Sequence, residues 1–369
     1  MRIAIEARAA AEVPAGRGRY VRELLKGLAA TDADHEFQLY GREPWIDPAL
    51  DGRFRWFRVD APGPRWALAA GRRMAASAQV GLACTSYAIT TQWRRLPAAA
   101  VVYDFVAFDR GLQPPRGSRL ERLTLPIAAR RCNAFVAISE STRHELEERF
   151  PHCRGKALVV TPGLDEAFTA LPGDDDAAVL HRHGLDGPYV LVAGTLEPRK
   201  NLPRLIEAYA GLASGVRAGR PLVLVGASGW ETDATFASVA QHRDLIRTLG
   251  YVPDRELACL YRHAELLCYV SLYEGFGLPV LEAMASGTAV LTSSVSSMPE
   301  VGGPAARYVD PLDVDDIRRG LSELLDDAQL RARCVQAGLV QAGRFDSSAS
   351  SRTLLGTLER LARARNAGD

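Results

Sequence analysis

Along the first 160 residues, short apolar runs alternate with stretches in which apolar positions recur every three or four residues. The runs RIAIEA (2–7), FQLY (37–40), FRWFRV (54–59), VGLACT (80–85), AAVVYD (99–104), AFVAIS (134–139) and ALVVT (157–161) are too short for helices. They also carry the branched and aromatic residues that pleated strands accommodate best. After a loop read at AEVPAGRGR (11–19), Tyr20, Leu24 and Leu28 form a stripe beside Val21 and Leu25, which predicts an amphipathic helix. Strands that alternate with helices in this way predict a parallel sheet covered on both faces.

The alternation lapses at LDEAFTALPGDDDAAVLHRHGLDGP (164–188), where Asp, Gly and Pro accumulate as in an inter-domain connection. It then restarts: YVLVAG (189–194), a helix from about 202, PLVLVG (221–226), ELLCYV (265–270), a helix over 279–286, and AVLTS (289–293). Leu354, Leu355, Leu358 and Leu361 mark a final helix outside either strand pattern. The expected fold is therefore α/β, with two Rossmann-like doubly wound domains. Their expected bounds are 1–170, completed by the C-terminal helix at about 350–366, and 171–349. Ligands would be expected in a cleft between them, at the carboxyl ends of the strands.

A chain of 369 residues fits two cores better than one. Lys plus Arg (45) against Asp plus Glu (44) gives a formal net charge of +1, so no bulk field draws the chain to nucleic acid. Six scattered cysteines without a C-x-x-C pair point to reduced, buried thiols and a cytoplasmic location. MRIAIEARAA reads as a strand rather than a signal peptide, and no run of about 18 apolar residues is present.

Three loops carry candidate chemistry. In AGRGRY (15–20), Gly16 and Gly18 allow backbone N–H groups to approach an anion at a helix start, although the spacing is not a dinucleotide fingerprint. In GTLEPRKN (194–201), Arg199 and Lys200 lie between a strand end and a helix. Cations there oppose the helix dipole, so an anion such as a diphosphate is expected to neutralise them. SLYEGFGLPVLEAMASG (271–287) places Glu274 in a glycine loop and Glu282 eight residues on. Pro279 is read as the first helical residue, Glu282 as first-turn, and Gly275 and Gly277 as exposed. Two carboxylates flanking Gly-Phe-Gly favour a polyhydroxylated ligand. DDD (174–176) is read as a solvated charge run, and HRH (181–183) and His152–Cys153 as ordinary surface, so no metal is expected.

These stretches resemble the retaining glycosyltransferases of family 4, group 1 glycosyltransferases of the GT-B fold. The resemblance is carried by the E-x7-E spacing from Glu274 to Glu282, by VAGTLEPRKNLPRLIEAY, LVLVG, GYVPDRELACLYRHAELL and GRGRYVRELL. It covers nearly the whole chain, is strongest from 189 to 311 and is looser over 42–97, where acceptor recognition usually resides in the family; it implies an acceptor domain over 1–170 and a nucleotide-sugar donor domain over 171–349. The resemblance implies that Glu282 holds ribose hydroxyls and Glu274 the hydroxyls of the donor sugar. Backbone N–H groups at Phe276, Gly277 and Leu278 would meet sugar and phosphate. Arg199 and Lys200 would grip the diphosphate, Gly16 and Gly18 would close on it, and Tyr251 and Val252 would contact the base. By the same resemblance Tyr103 and Asp104 join Glu274, Arg199 and Lys200 as candidate catalytic residues and Thr195 joins the donor-binding ones, with two departures from the family pattern: Tyr103 stands before Asp104 where many members have histidine, and Thr195 stands where some have arginine.

The implied activity is a metal-independent, cofactor-free hexosyl transfer from a nucleotide-diphosphate sugar to an acceptor hydroxyl, with retention of configuration. GDP-mannose is the first expectation for the donor and UDP-sugars the second. The acceptor would be a glycan or glycolipid of cell-surface polysaccharide or lipopolysaccharide. A nucleotide-sugar 2-epimerase and a non-catalytic nucleotide-sugar-binding subunit are the competing readings. The basic run RGSRLERLTLPIAARR (116–131) leaves two options open, contact with an anionic inner membrane or an ordinary helix with a wet face.

Overall fold

The computed structural model describes residues 1–14, 16–109, 111–112, 118–230 and 232–366. Ala15 of the glycine loop and Arg116 of the basic run lie outside the described residues. Two compact units form: Met1–Gly163 with the chain from Asp346 onward (unit 1), and Leu164–Phe345 (unit 2). The observed boundaries thus fall a few residues before the expected ones at 170 and 349.

Unit 1 is a seven-stranded parallel sheet: β1 (Arg2–Glu6), β2 (Glu36–Gly41), β3 (Phe54–Arg58), β4 (Val80–Ala83), β5 (Ala98–Val102), β6 (Ala134–Ala137) and β7 (Ala157–Val159). Its helices are α1 (Arg8–Glu12), α2 (Arg17–Ala29), α3 (Arg65–Ser77), α4 (Ser118–Arg131) and α5 (Glu140–Arg149). Unit 2 has six strands: β8 (Val190–Ala193), β9 (Leu222–Val225), β10 (Ile246–Gly250), β11 (Leu266–Tyr269), β12 (Val290–Ser293) and β13 (Arg307–Val309). Around them lie α6 (Asp176–Arg182), α7 (Leu202–Ala210), α8 (Ser214–Arg217), α9 (Asp233–Gln241), α10 (Asp254–His263) and α11 (Leu278–Ala285). Then come α12 (Met298–Gly302), α13 (Val314–Asp326) and α14 (Ala328–Ala342). A last helix, α15 (Ser347–Asn366), belongs to unit 1 and packs against α2, β4 and β5, with Leu354, Leu355 and Leu358 buried.

The strand orders are 3-2-1-4-5-6-7 and 10-9-8-11-12-13, all parallel. Each sheet reverses direction of growth once, between β1 and β4 and between β8 and β11. Those switch points are where the loops diverge and leave a crevice. The central strands VLVA, LVLV, LLCY and VLTS are buried along their whole length, as a sheet with helices on both faces requires.

Several expectations are corrected. β10 and β13 were not predicted, because Arg247 and Thr248 of β10 face solvent and β13 has only three residues, so neither edge strand presents an apolar run. The expected loop at 11–19 holds the end of α1 and the start of α2. Asp176 is not a solvated charge: it is buried, and its carboxylate accepts from Arg262 Nε and Nη2 at 2.9 and 2.6 Å and from the Gly173 N–H at 3.1 Å. His263 Nε2 lies 3.0 Å from the same carboxylate. Cys153 is buried rather than superficial, and Cys334 is half-buried. No helix among the described residues is long and apolar enough to cross a membrane.

The hydrogen bonds from Arg262 hold the Asp176 carboxyl well below the ordinary aspartate range, against the opposing effect of burial. Its contribution to stability is therefore complete above about pH 5 and is lost as the pH falls through the folded-state value. Asp176→Asn should cost about 3 kcal/mol at neutral pH by leaving Arg262 without its counter-charge. Urea unfolding at a series of pH values should show the wild type converging on the variant as acid is added.

Candidate functional site

A buried charged cluster of unit 2 lies at its switch point. After β8 the chain passes Glu197, makes a 3-10 turn over Pro198–Lys200 and enters α7 through Asn201, whose backbone is left-handed at φ 59°. Asn201 Nδ2 donates to the carbonyls of Val270 (3.2 Å) and Pro311 (2.6 Å), and the Leu272 N–H donates to the Arg199 carbonyl (2.7 Å). The turn is thereby tied to the loop that leaves β11.

That loop delivers Glu274. Lys200 Nζ donates to its Oε1 at 2.6 Å, and the Tyr269 hydroxyl donates to the same oxygen at 2.8 Å. Lys200 also bonds the Tyr269 hydroxyl and lies 4.6 Å from the ring centroid. Arg199 pairs with the other Glu274 oxygen and with Glu197, and donates to the Tyr273 carbonyl at 3.2 Å. The structure thus brings Arg199, Lys200 and Glu274 into direct contact. It also corrects the expectation that an external anion must neutralise the two cations, because Glu274 and Glu197 already do so.

Burial opposes ionisation of Glu274, but Arg199 and Lys200 outweigh it and hold the carboxyl at about 2. Burial and the neighbouring Arg199 push the Lys200 ammonium below the ordinary lysine range, and burial pushes Glu197 up. At neutral pH Glu274 is consequently an acceptor-only carboxylate. It has no proton to give, and three donors leave it a poor nucleophile.

The rest of the loop is fixed by two serines. Ser296 Oγ accepts from the Glu274 N–H at 3.0 Å. The fully buried Ser297 hydroxyl faces the Glu274 and Phe276 carbonyls at 3.0 and 2.8 Å. Gly275 and Gly277 are buried, not exposed as expected, and Phe276 packs edge-on against Phe345 at 5.6 Å. Gly277, at φ 104°, caps α11, and a Cβ there would lie 2.2 Å from Met298 Cε. Leu278 is the first helical residue and Pro279 the second, so Glu282 lies just beyond the first turn rather than in it. Glu282 is buried and accepts from the Tyr261 hydroxyl at 3.1 Å. Thr195 is exposed. Beyond β10, Tyr251 is exposed and Val252 buried.

In unit 1, Gly16 is exposed and caps α2 at φ 52°. Gly18 is buried: a Cβ would lie 1.8 Å from the Val13 carbonyl oxygen and 2.7 Å from that of Ala9, so close packing against α1 is sufficient reason for glycine there. Glu6, at the switch point of this sheet, is buried and accepts from Thr85 and Ser86 at 2.5–3.2 Å, which ties β1 to the loop after β4. Tyr103 is buried edge-on against Tyr20 at 5.4 Å, and Asp104 Oδ1 accepts from the Val106 N–H at 3.1 Å. Sequence reasoning missed Tyr269, Glu197 and Ser297, whose roles arise only when separate loops meet. A group of Asp176, Cys259 and His263 has metal-ligand spacing, but Arg262 already occupies the carboxylate.

Two parallel sheets of these orders are the architecture of the GT-B glycosyltransferases. Sucrose-phosphate synthase from Thermosynechococcus elongatus superposes with a TM-score of 0.81 over 99% of this chain and all of that one, at 19% identity. Residues 14–168 match the model of Glycosyltransferase Family 4, and residues 179–340 that of Glycosyl transferases group 1. O-antigen chain mannosyltransferase B of Escherichia coli is 30% identical over 359 residues, covering 89% of this chain and 92% of that protein. Serotype-specific mannosyltransferase WbdA of Escherichia coli is 31% identical over 221 residues, 58% of this chain and 27% of that longer protein. The chain belongs to the family 4, group 1 glycosyltransferases.

Ser297→Ala should cost about 1–3 kcal/mol by removing the single O–H that the buried Glu274 and Phe276 carbonyls share. Chemical denaturation of the full chain checks this, and Ser297→Thr should recover most of the loss if the hydroxyl is what matters.

Proposed function

We propose that this glycosyltransferase moves a mannosyl residue from GDP-mannose to a hydroxyl of a cell-surface glycan of the O-antigen type, retaining the anomeric configuration and requiring no metal. The observation that carries the reading is the Arg199–Lys200–Glu274 cluster at the switch point of a family 4 fold. The choice of mannose and of an O-antigen acceptor is supported by the end-to-end similarity to O-antigen chain mannosyltransferase B.

In this scheme negative charge grows on the departing diphosphate while the sugar becomes oxocarbenium-like. Lys200 and Arg199 are fixed before the donor arrives, so they stabilise that charge without reorganising. The Lys200 ammonium uses two of its three N–H groups on Glu274 and Tyr269, which leaves one for a phosphate oxygen. Glu274, ionised and held in place, accepts from a donor-sugar hydroxyl, and Glu282 does the same for the ribose. The acceptor attacks on the face from which the diphosphate leaves, and its proton passes to the leaving phosphate oxygen. Fixed cations do here what a divalent ion does in other transferases.

The proposal includes work at the inner face of the cytoplasmic membrane. α4 is a helix of unit 1, with Leu125, Ala128 and Ala129 buried, but its outer face is not simply polar. Leu120, Leu123 and Ile127 are exposed there among the exposed Arg119, Arg130 and Arg131, a combination suited to an anionic lipid surface.

Purified protein should transfer mannose from GDP-mannose to a mannose-terminated acceptor, and Lys200→Ala or Glu274→Ala should each lower kcat/KM at least about a hundredfold. Near wild-type rates in both would remove the assigned roles, and a C2 epimer formed from donor alone would redirect the assignment to an epimerase. Sedimentation with phosphatidylglycerol vesicles should exceed that with phosphatidylcholine vesicles and fall in Leu123→Glu; equal sedimentation would discard the membrane contact.

A further inference from the structure

The Glu274 cluster follows the carboxyl ends of β8 and β11. At the opposite end of the same sheet, where β9 and β10 begin, unit 2 has an open cavity of about 410 Å³. Two connections wall it, from α8 into β9 and from α9 into β10. The Leu222 N–H joins them by donating to the Leu245 carbonyl at 2.9 Å. Four arginines line the cavity, Arg217 and Arg220 from the first connection and Arg243 and Arg247 from the second. Among the described residues Asp244 is the one carboxylate in the lining.

The first wall is anchored. Buried Tyr209 of α7 hydrogen-bonds the Arg220 carbonyl, and Arg220 donates to Glu265 Oε2 at 2.7 Å and to the Val216 carbonyl at 2.8 Å. The second oxygen of Glu265 pairs with Arg331 at 2.7 Å, so that carboxylate is already shared between two cations. The other three arginines keep most of their donors. Arg217 uses Nε on the Leu212 carbonyl at 3.2 Å, and Arg247 uses one Nη on the Gly184 carbonyl. Arg243 has no hydrogen bond or ion pair among the described residues, and the exposed Asp244 pairs with none of the three. Guanidinium groups stay charged at any ordinary pH, so gathering them around one hollow is unfavourable until an anion joins them. The donor cluster supplies its own carboxylates to its cations; this cavity does not.

We propose that the cavity is a second ligand site of unit 2, which binds a phosphate group through the guanidinium forks of Arg217, Arg243 and Arg247. A planar fork meets two phosphate oxygens at once. The volume lies in the range of about 300–1,000 Å³ typical of small-molecule sites, and Pro221 and Leu245 give part of the lining an apolar character. The occupant is therefore a phosphate ester rather than the bare ion, and it comes either from a soluble phosphorylated compound or from a lipid headgroup. The length of the strands separates it from Glu274, so filling it leaves the donor site open.

Calorimetric titration and thermal melting of the full chain with inorganic phosphate test the site. The wild type should bind phosphate saturably and melt at a higher temperature in its presence. Arg217→Ala and Arg243→Ala should each weaken that binding about tenfold, the loss of one charge-assisted pair, and keep the wild-type GDP affinity. Arg243→Lys should recover only part, since an ammonium has no fork. Should Arg217→Ala lower the ligand-free melting temperature, Arg243→Ala decides, because that side chain bonds nothing in the fold. Sedimentation with phosphatidylglycerol vesicles separates the sources: a fall in Arg243→Ala assigns a lipid headgroup, and wild-type sedimentation with weakened phosphate binding assigns a soluble ester. Unchanged phosphate affinity in both alanine variants overturns the site. So does an equal rise in melting temperature with sodium chloride at matched ionic strength, which would reveal only a diffuse positive surface.

Discussion

The structure of unit 2 depends on the carboxylate of Glu274 sitting between Arg199 and Lys200. Three charged side chains out of water would be costly alone, and each is tolerable only because the others stand within hydrogen-bond reach. That proximity is not local. It requires the turn after β8 and the loop after β11 to be joined through Asn201 and the Leu272 N–H, and the loop to be pinned by Ser296 and Ser297. The two strands are neighbours only because the sheet changes direction between them. The chemistry is therefore a property of the strand order as much as of the residues.

Both units solve one electrostatic problem in the same way. Each starts a helix or turn with cations and brings carboxylates to them from other loops: Arg17 with Asp104 and Glu121, Arg199 and Lys200 with Glu274, to which the adjacent Glu197 adds a local partner. The balance differs. In unit 2 two cations meet two carboxylates, one of them held firmly ionised; in unit 1 two carboxylates meet one cation.

Much of this was legible in the sequence, and the limits are physical. Central strands such as VLVA and LLCY announce themselves because burial on both faces demands continuous apolar residues. Edge strands escape that demand, so IRTLG and RYV leave no comparable trace. The Glu274, Arg199 and Lys200 positions were readable from loop chemistry and family resemblance. Their mutual neutralisation was not, because a sequence shows charges without showing which ones meet. Gly18 illustrates the opposite error: a glycine at a helix start suggests an anion, while the neighbouring carbonyls of Ala9 and Val13 already forbid a side chain.

The placement of α15 has a consequence for assembly. The chain leaves unit 1 at Gly163, builds all of unit 2, and returns at Asp346 to lay α15 against α2. On a ribosome, unit 2 has every residue it needs before unit 1 receives its covering helix. The seven-stranded sheet must therefore wait, with the apolar surface meant for Leu354, Leu355 and Leu358 still bare, while the later-encoded half matures first.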